Sequence, residues 1–307
     1  DLFQAKAQYE ELLRQNPNDR DLLLELMLIN RELSNTAEVA AQLNSLKDSP
    51  ELRSRANYIL GRLDEEDQNW PEAIKHYLQA TGGDEFGKAS QRIASISLAI
   101  ESVDKALERL ENLRANHPEQ ASYIYQLEAE ILRKEARYQQ GYDLLSEALS
   151  TNTDSEELRY ARSLFSERLG NIDAVEHDLQ HIISRDPDNA TALNALGYSL
   201  ANLDPSRLDE AELLVKRALE LEPNDPAIID SYGWIMLLKG NISEAVSLLE
   251  KAFKQTQDHE IAAHLGEALW LSGDQARAKL VWQEGLKDTP NSPIIMDTLR
   301  KLGLFNE

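Results

Sequence analysis

The feature that most restricts what this sequence can fold into is its period. Small residues recur at Gly61, Ala94, Ala129, Ser163, Gly197, Gly233 and Gly266, with Met27 in the same place upstream, in steps of 33 to 36 residues. A second slim position follows 12 residues later, at Val39, Ala73, Ala106, Gly141, Val175, Ala245 and Ala278. The unit of Gly197 departs, since its partner Ala211 lies 14 residues on. A third position keeps step at Ala80, Leu113, Ala148, Ile182, Ala218, Ala252 and Gly285. A recurrence of this length marks stacked supersecondary units.

The units read as helical. Leu, Ala and Glu fill most segments, and β-branched runs of strand length are nearly absent. Two helices of about a dozen residues cannot hide their apolar faces alone, so neighbouring pairs must stack. Where the first helix crosses the second, only Gly, Ala or Ser is expected to fit. Tyr77, Leu110, Leu145, Leu179, Val215, Leu249 and Trp282, one turn beyond the slim position, are expected to fill the remaining space. Pro17, Pro118, Pro187, Pro223 and Pro290 fall just after the second helices and end each unit. Their neighbours, as in Asp186-Pro187-Asp188 and Glu222-Pro223-Asn224-Asp225, supply turn and N-cap chemistry.

Period and pattern resemble the tetratricopeptide repeat, most clearly in NALGYSLANLDPSRLDEAELLVKRALELEP (194–223) and HLGEALWLSGDQARAKLVWQEGLKDTP (264–290). The resemblance implies an all-α, right-handed superhelical solenoid of antiparallel helix pairs and a non-catalytic scaffold or adaptor that binds protein. The register divides the chain into eight units at about 20–53, 54–86, 87–121, 122–155, 156–189, 190–225, 226–258 and 259–292. Before them, 1–19 carries Ala5, Tyr9, Leu12 and Pro17 at the spacing of a second helix without its first. That places the start inside a repeat, as in part of a longer array, and leaves an edge through which copies could self-associate. After the units, 293–307 holds a capping helix from Ile294 to Leu302 and a tail.

The stretches NALGYSLA, DSYGWIMLLKG, EIAAHLGEALW and AKLVWQEGLK also resemble the tetratricopeptide lipoproteins of Gram-negative envelopes, including the adaptor of a carboxyl-terminal processing protease. The expansion at Asp204-Pro205-Ser206-Arg207 fits this group. It implies a periplasmic protein held to the outer membrane by a lipid anchor outside these residues, with the protease and its substrates as partners. A cytoplasmic regulator or a co-chaperone-like assembly factor is the alternative.

With 54 acidic against 32 basic residues the formal charge is −22, which repels nucleic acid and anionic lipid headgroups. No uninterrupted apolar segment approaches the ~18–20 residues of a membrane span. With 0 cysteines, disulfides and Cys-based metal sites or nucleophiles are excluded.

Two short motifs compete with this reading. Gly82-Gly83-Asp84-Glu85-Phe86 spells the signature of diguanylate cyclases, whose hairpin context is missing; it is expected to be a helix cap and an acidic first turn, with nucleotide binding as a remote alternative. His177 and His181 have metal-ligand spacing but flank Leu179, a core position, so both are expected to face solvent. No catalytic constellation, cofactor site or metal site is expected.

The candidate binding surface is the concave wall that the family's superhelix lines with first helices. Residues flanking the small packing position are expected there: Tyr58 and Arg62; Gln91; Gln126, Glu130 and Arg133; Tyr160; Asn194 and Tyr198; Asp230 and Trp234; Glu267 and Trp270. Large rings at an accessible surface suit protein recognition. The last three units offer no lysine in this register, which argues against a clamp for the C-terminal carboxylate of a chaperone. Trp70 and Trp282 read instead as a helix-entry residue and a core filler.

Overall fold

The computed structural model describes residues 2–16, 22, 25, 26, 29, 30, 33 and 50–304. The unit expected over 20–53, with Met27 and Val39, lies mostly outside these residues, as do Pro17 and the tail at 305–307. Among the described residues there are sixteen α-helices and no strand. No helix among them is long and apolar enough to cross a membrane. The helices group into two compact units, Asp1–Lys134 and Glu135–Glu307.

The first unit holds α1 (Leu2–Gln15), α2 (Pro50–Glu66), α3 (Trp70–Tyr77), α4 (Gly83–Ile100), α5 (Val103–Asn116) and α6 (Ala121–Lys134). From α2 onward each helix packs on the next, and the first helices α2, α4 and α6 also touch in sequence. The core includes Tyr77, Phe86, Ile93, Leu110 and Ile124.

The second unit repeats the arrangement through α7 (Tyr138–Thr151), α8 (Glu156–Arg168), α9 (Ile172–Arg185), α10 (Ala190–Leu203), α11 (Leu208–Leu221), α12 (Pro226–Leu238), α13 (Ile242–Gln255), α14 (His259–Ser272), α15 (Gln275–Asp288) and α16 (Pro293–Lys301). Here α8, α10, α12, α14 and α16 form a continuous row, each touching the next. The expected caps appear: the Asn189 and Asp225 side chains accept the exposed backbone N–H groups of α10 and α12.

Small and large residues pair as the register predicts, with a sharper physical reason. A Cβ on Gly61 would come 2.7 Å from the Tyr77 ring, one on Gly233 2.8 Å from Leu249, and one on Gly266 2.0 Å from Trp282. In these pairs the small residue makes room for a side chain of its partner helix. Gly197 is the one whose Cβ would also meet backbone, at 2.8 Å from the Ala211 carbonyl. Leu110, Leu145, Leu179, Val215 and Leu249 are fully buried, and each contributes about 1.5–3 kcal/mol.

A second recurrence marks the end of the first helices. Gln68, Ala136, Gly170, Gly240 and Gly273, each 7 residues past the small position, have φ of 59°, 53°, 71°, 82° and 95°. This left-handed residue reverses the chain into the second helix. The unit of Gly197 uses a short 3₁₀ turn, Pro205–Arg207, in the same place, which accommodates its two extra residues.

Candidate functional site

The first helices of the second unit bring together a web of polar and aromatic side chains. Trp234 on α12 lies stacked on His264 of α14, with ring centroids 4.3 Å apart and planes 21° off parallel. Its indole N–H donates to Asn202 Oδ1 on α10 at 2.8 Å. His264 Nδ1 lies 2.9 Å from Asp230 Oδ2, and both residues are buried. The Tyr198 hydroxyl donates to Glu260 at 2.7 Å, reaching from α10 past α12 to α14. Lys301, on α16, donates to Glu267 at 2.6 Å and stands 5.6 Å from the centre of the Trp234 ring.

Charge in this web is set by desolvation. Burial pushes Glu167, on α8, up to about 7, with Glu260 adding to the rise and Arg168 and the Asn202 amide opposing it. Burial, with Glu260 beside it, holds the Tyr198 phenol well above its ordinary value. At His264 burial opposes the imidazolium, but Asp230, Glu260 and Glu267 outweigh it and the pKa is raised. Burial likewise raises Asp230, against the attraction of His264.

This geometry corrects part of the expected wall. Asp230, Trp234 and Glu267 are 5%, 9% and 4% exposed, so they form an inner layer and not open surface. The reason is that adjacent first helices touch, and residues beside the small position are enclosed between them. Tyr160, Asn194, Tyr198 and Trp270 are half-buried. Asn194 Oδ1 is enclosed without a hydrogen-bond partner, and Trp270 lies against Trp282, with centroids 6.0 Å apart. At the C-terminal ends of α12 and α14, Leu238 and Leu271 are 37% and 50% exposed. The wall also carries a lysine after all, Lys301, supplied by the capping helix and committed to Glu267.

In the first unit the same register is more open and more polar. Tyr58 is half-buried, its ring 5.7 Å from that of Tyr77. Arg62, Gln91, Gln126, Glu130 and Arg133 are exposed; Arg62 pairs with Glu66 at 3.7 Å and Glu130 with Lys134 at 2.7 Å. Trp70 opens α3, and Trp282 is buried against Gly266.

The competing motifs take ordinary positions. Gly82 precedes α4, Gly83 turns the chain with φ 62°, Asp84 and Glu85 lie in the first turn, and Phe86 is buried in the core. His177 is exposed on α9, whereas His181 is half-buried, with Nε2 enclosed and unpartnered, contrary to the expectation that both face solvent. The cause is the row of first helices against which this turn of α9 packs.

Sequence reasoning missed Glu167, Asn202, Glu260, His264 and Lys301. The signal for Glu167, Asn202 and Glu260 was present one further turn out from the small position along the same helical stripe. His264, two residues before Gly266, faces the preceding first helix, and Lys301 comes from the cap, where the repeat register had ended.

Comparisons with known proteins agree with the fold. Family models described as tetratricopeptide repeat match residues 161–226 and 202–269. A TPR repeat-containing protein of Pseudomonas aeruginosa is 39% identical over 212 residues, covering 69% of this chain and 36% of that protein. Human tetratricopeptide repeat protein 13 is 28% identical over 152 residues, 48% of this chain and 17% of that one. The chain thus spans about a third or less of the length of these relatives. A tetratricopeptide repeat protein from Parabacteroides merdae superposes with a TM-score of 0.62 at 15% identity, covering 80% of this chain and 97% of its own. With its period, paired helices and size-matched Gly–ring contacts, the chain belongs to the tetratricopeptide-repeat superfamily.

Proposed function

We propose that the chain is a non-catalytic scaffold that holds a partner protein on the first-helix wall of residues 135–307. The observation that carries this is the layering of that wall. Buried cross-links fix the row of first helices, while on the same helices Tyr160, Tyr198 and Trp270 stay half-buried and Leu238 and Leu271 exposed. A surface held in this way loses little conformational freedom on binding, and rings with aliphatic neighbours provide contact area. Tetratricopeptide folds serve as interaction scaffolds, in accord with this use.

In its specific form, the partner is an envelope processing protease or its substrates. The chain then works in the periplasm, tethered to the outer membrane by a lipid anchor beyond these residues. The likeness of the last three repeats to envelope lipoproteins of this family supports that form.

Peptide display against the immobilised chain tests the wall. Selected peptides should bind the parent and lose binding to Leu238→Glu/Leu271→Glu. They should keep it with Leu213→Glu/Leu280→Glu, which alters leucines 69% and 64% exposed on second helices. The opposite pattern would move the site off the wall. Co-purification with the source organism's own processing protease, set beside cell fractionation, tests the specific form.

A further inference from the structure

Two carboxylates of the second unit's wall have an ion-pair partner of their own. Glu267 has Lys301, and Asp230 has His264. Glu167 and Glu260 differ. Among the described residues neither has an ion pair within 4.0 Å; Glu260 accepts from the neutral Tyr198 hydroxyl, and Glu167 has the neutral Asn202 amide. They come from α8 and α14, yet both reach α10: Glu260 accepts from the Tyr198 hydroxyl at 2.7 Å, and Glu167 accepts from the Asn202 amide one turn further along that helix. Glu260 also acts directly on Glu167.

The surroundings are aromatic. Tyr160 and Tyr198 flank the stretch from α8 and α10, and the Trp234 indole lies beneath, anchored on Asn202. Tyr rings and a pair of half-buried carboxylates favour a cationic side chain, which gains from ring faces as well as from the opposite charge. A chain with formal charge −22 also attracts a basic partner from a distance. An acidic segment would instead meet two carboxylates that have no ion pair within 4.0 Å among the described residues, which disfavours it by like-charge repulsion.

We propose that this stretch of wall, bounded by Tyr160, Glu167, Tyr198, Asn202 and Glu260, docks a basic extended segment of a partner protein, with a lysine or arginine set against Glu167 and Glu260. The proposal rests on the wall being the scaffold's binding surface and adds the charge class of what it takes.

The test is fluorescence anisotropy with a labelled lysine–alanine peptide, beside the same peptide with glutamate for lysine, on the parent chain, Glu167→Gln/Glu260→Gln and Glu220→Gln/Glu244→Gln. The last variant removes the same formal charge from exposed positions on α11 and α13. The lysine peptide should bind the parent, weaken about tenfold or more on the wall variant, and change less than about twofold on the control. Binding should weaken as pH falls through about 7, where Glu167 takes up a proton. Equal weakening by both variants would reduce the effect to net charge and overturn the proposal. So would display-selected peptides that map to Leu238 and Leu271 but lack basic residues, and that outcome leaves the scaffold reading standing. Selected peptides indifferent to every wall variant would remove the scaffold reading itself.

Discussion

Replacing Gly266 by alanine sets two effects of opposite sign against each other, and the structure decides between them. On a helix, Gly→Ala by itself stabilises by about 1 kcal/mol, because the unfolded glycine has more freedom to lose. At Gly266 the added Cβ would stand 2.0, 2.4 and 2.5 Å from Nε1, Cε2 and Cδ1 of Trp282. Ordinary carbon contacts lie at about 3.5–4.0 Å, so the indole would have to retreat by roughly 1.5 Å. It has little room, since it is 3% exposed, reaches the Ala263 carbonyl at 3.4 Å, and lies against Trp270. Overpacking of this kind costs about 1–3 kcal/mol. At the upper end, where a rigid ring belongs, the net expectation is a loss of roughly 2 kcal/mol. Urea unfolding followed by tryptophan fluorescence reads it out, combined with Trp282→Leu in a double-mutant cycle. Trp282→Leu alone should cost about 2–4 kcal/mol through its cavity. The double variant should be more stable than the sum predicts by about 1–3 kcal/mol, because the methyl enters space the ring has left. A Gly266→Ala chain as stable as the parent, or a strictly additive cycle, would refute the view that these glycines exist to admit a partner side chain.

Two further expectations follow from single groups. The folded-state pKa of Glu167 is raised from 4.5 to about 7, so its contribution is fully present below about 4.5 and is lost as pH rises to about 7. That displacement is equivalent to about 3 kcal/mol, which solvent at a half-buried side chain reduces to roughly 1–2 kcal/mol. Glu167→Gln should therefore lose less stability than the parent between pH values of about 5 and 8 in thermal melts; identical pH slopes would count against the desolvated carboxylate. At the helix reversals, Gln68 and Ala136 adopt left-handed φ where the equivalent units use glycine. Gln68→Gly and Ala136→Gly should each stabilise by about 0.5–1 kcal/mol, and a lowered melting temperature in either would show that the side chain earns its strained position through contacts.

How much of this could be read from the sequence depends on whether a residue's role repeats. The helix pairs and the size-matched partners were legible because packing forces the same choice every 33 to 36 residues; Gly61 with Tyr77 and Gly266 with Trp282 are the same solution with different rings. The left-handed reversal repeats as well, yet Gln68 and Ala136 conceal it, since neither residue type advertises a positive φ. The wall was legible as a direction along each first helix but not as a depth. Asp230 and Tyr198 occupy neighbouring register positions on different helices, and only contacts between successive first helices put one inside and leave the other at the rim. Lys301 was invisible for another reason, because it comes from the cap, to which the period assigns no role.

The buried polar web also changes what kind of stack the second unit is. In a simple repeat array each unit contacts its neighbours alone, and stability approximates a sum of unit and interface contributions. Trp234 with Asn202, and Asp230 with His264, are of that nearest-neighbour kind. Tyr198 with Glu260 is not, because it joins α10 to α14 across the intervening α12. A bond that skips a unit can form only when the curvature of three successive first helices is right, so it selects one curvature from those the apolar contacts would tolerate. Hydrophobic packing holds these helices together, and directional groups fix the angle at which they meet. The polarity of the wall therefore has a structural cause that operates before any partner arrives. What the structural cause leaves unanswered is the pair Glu167 and Glu260, which among the described residues has hydrogen bonds from neutral groups but no ion pair within 4.0 Å, and it is this pair, not the buried tryptophan, that gives the wall its preference for a cationic side chain.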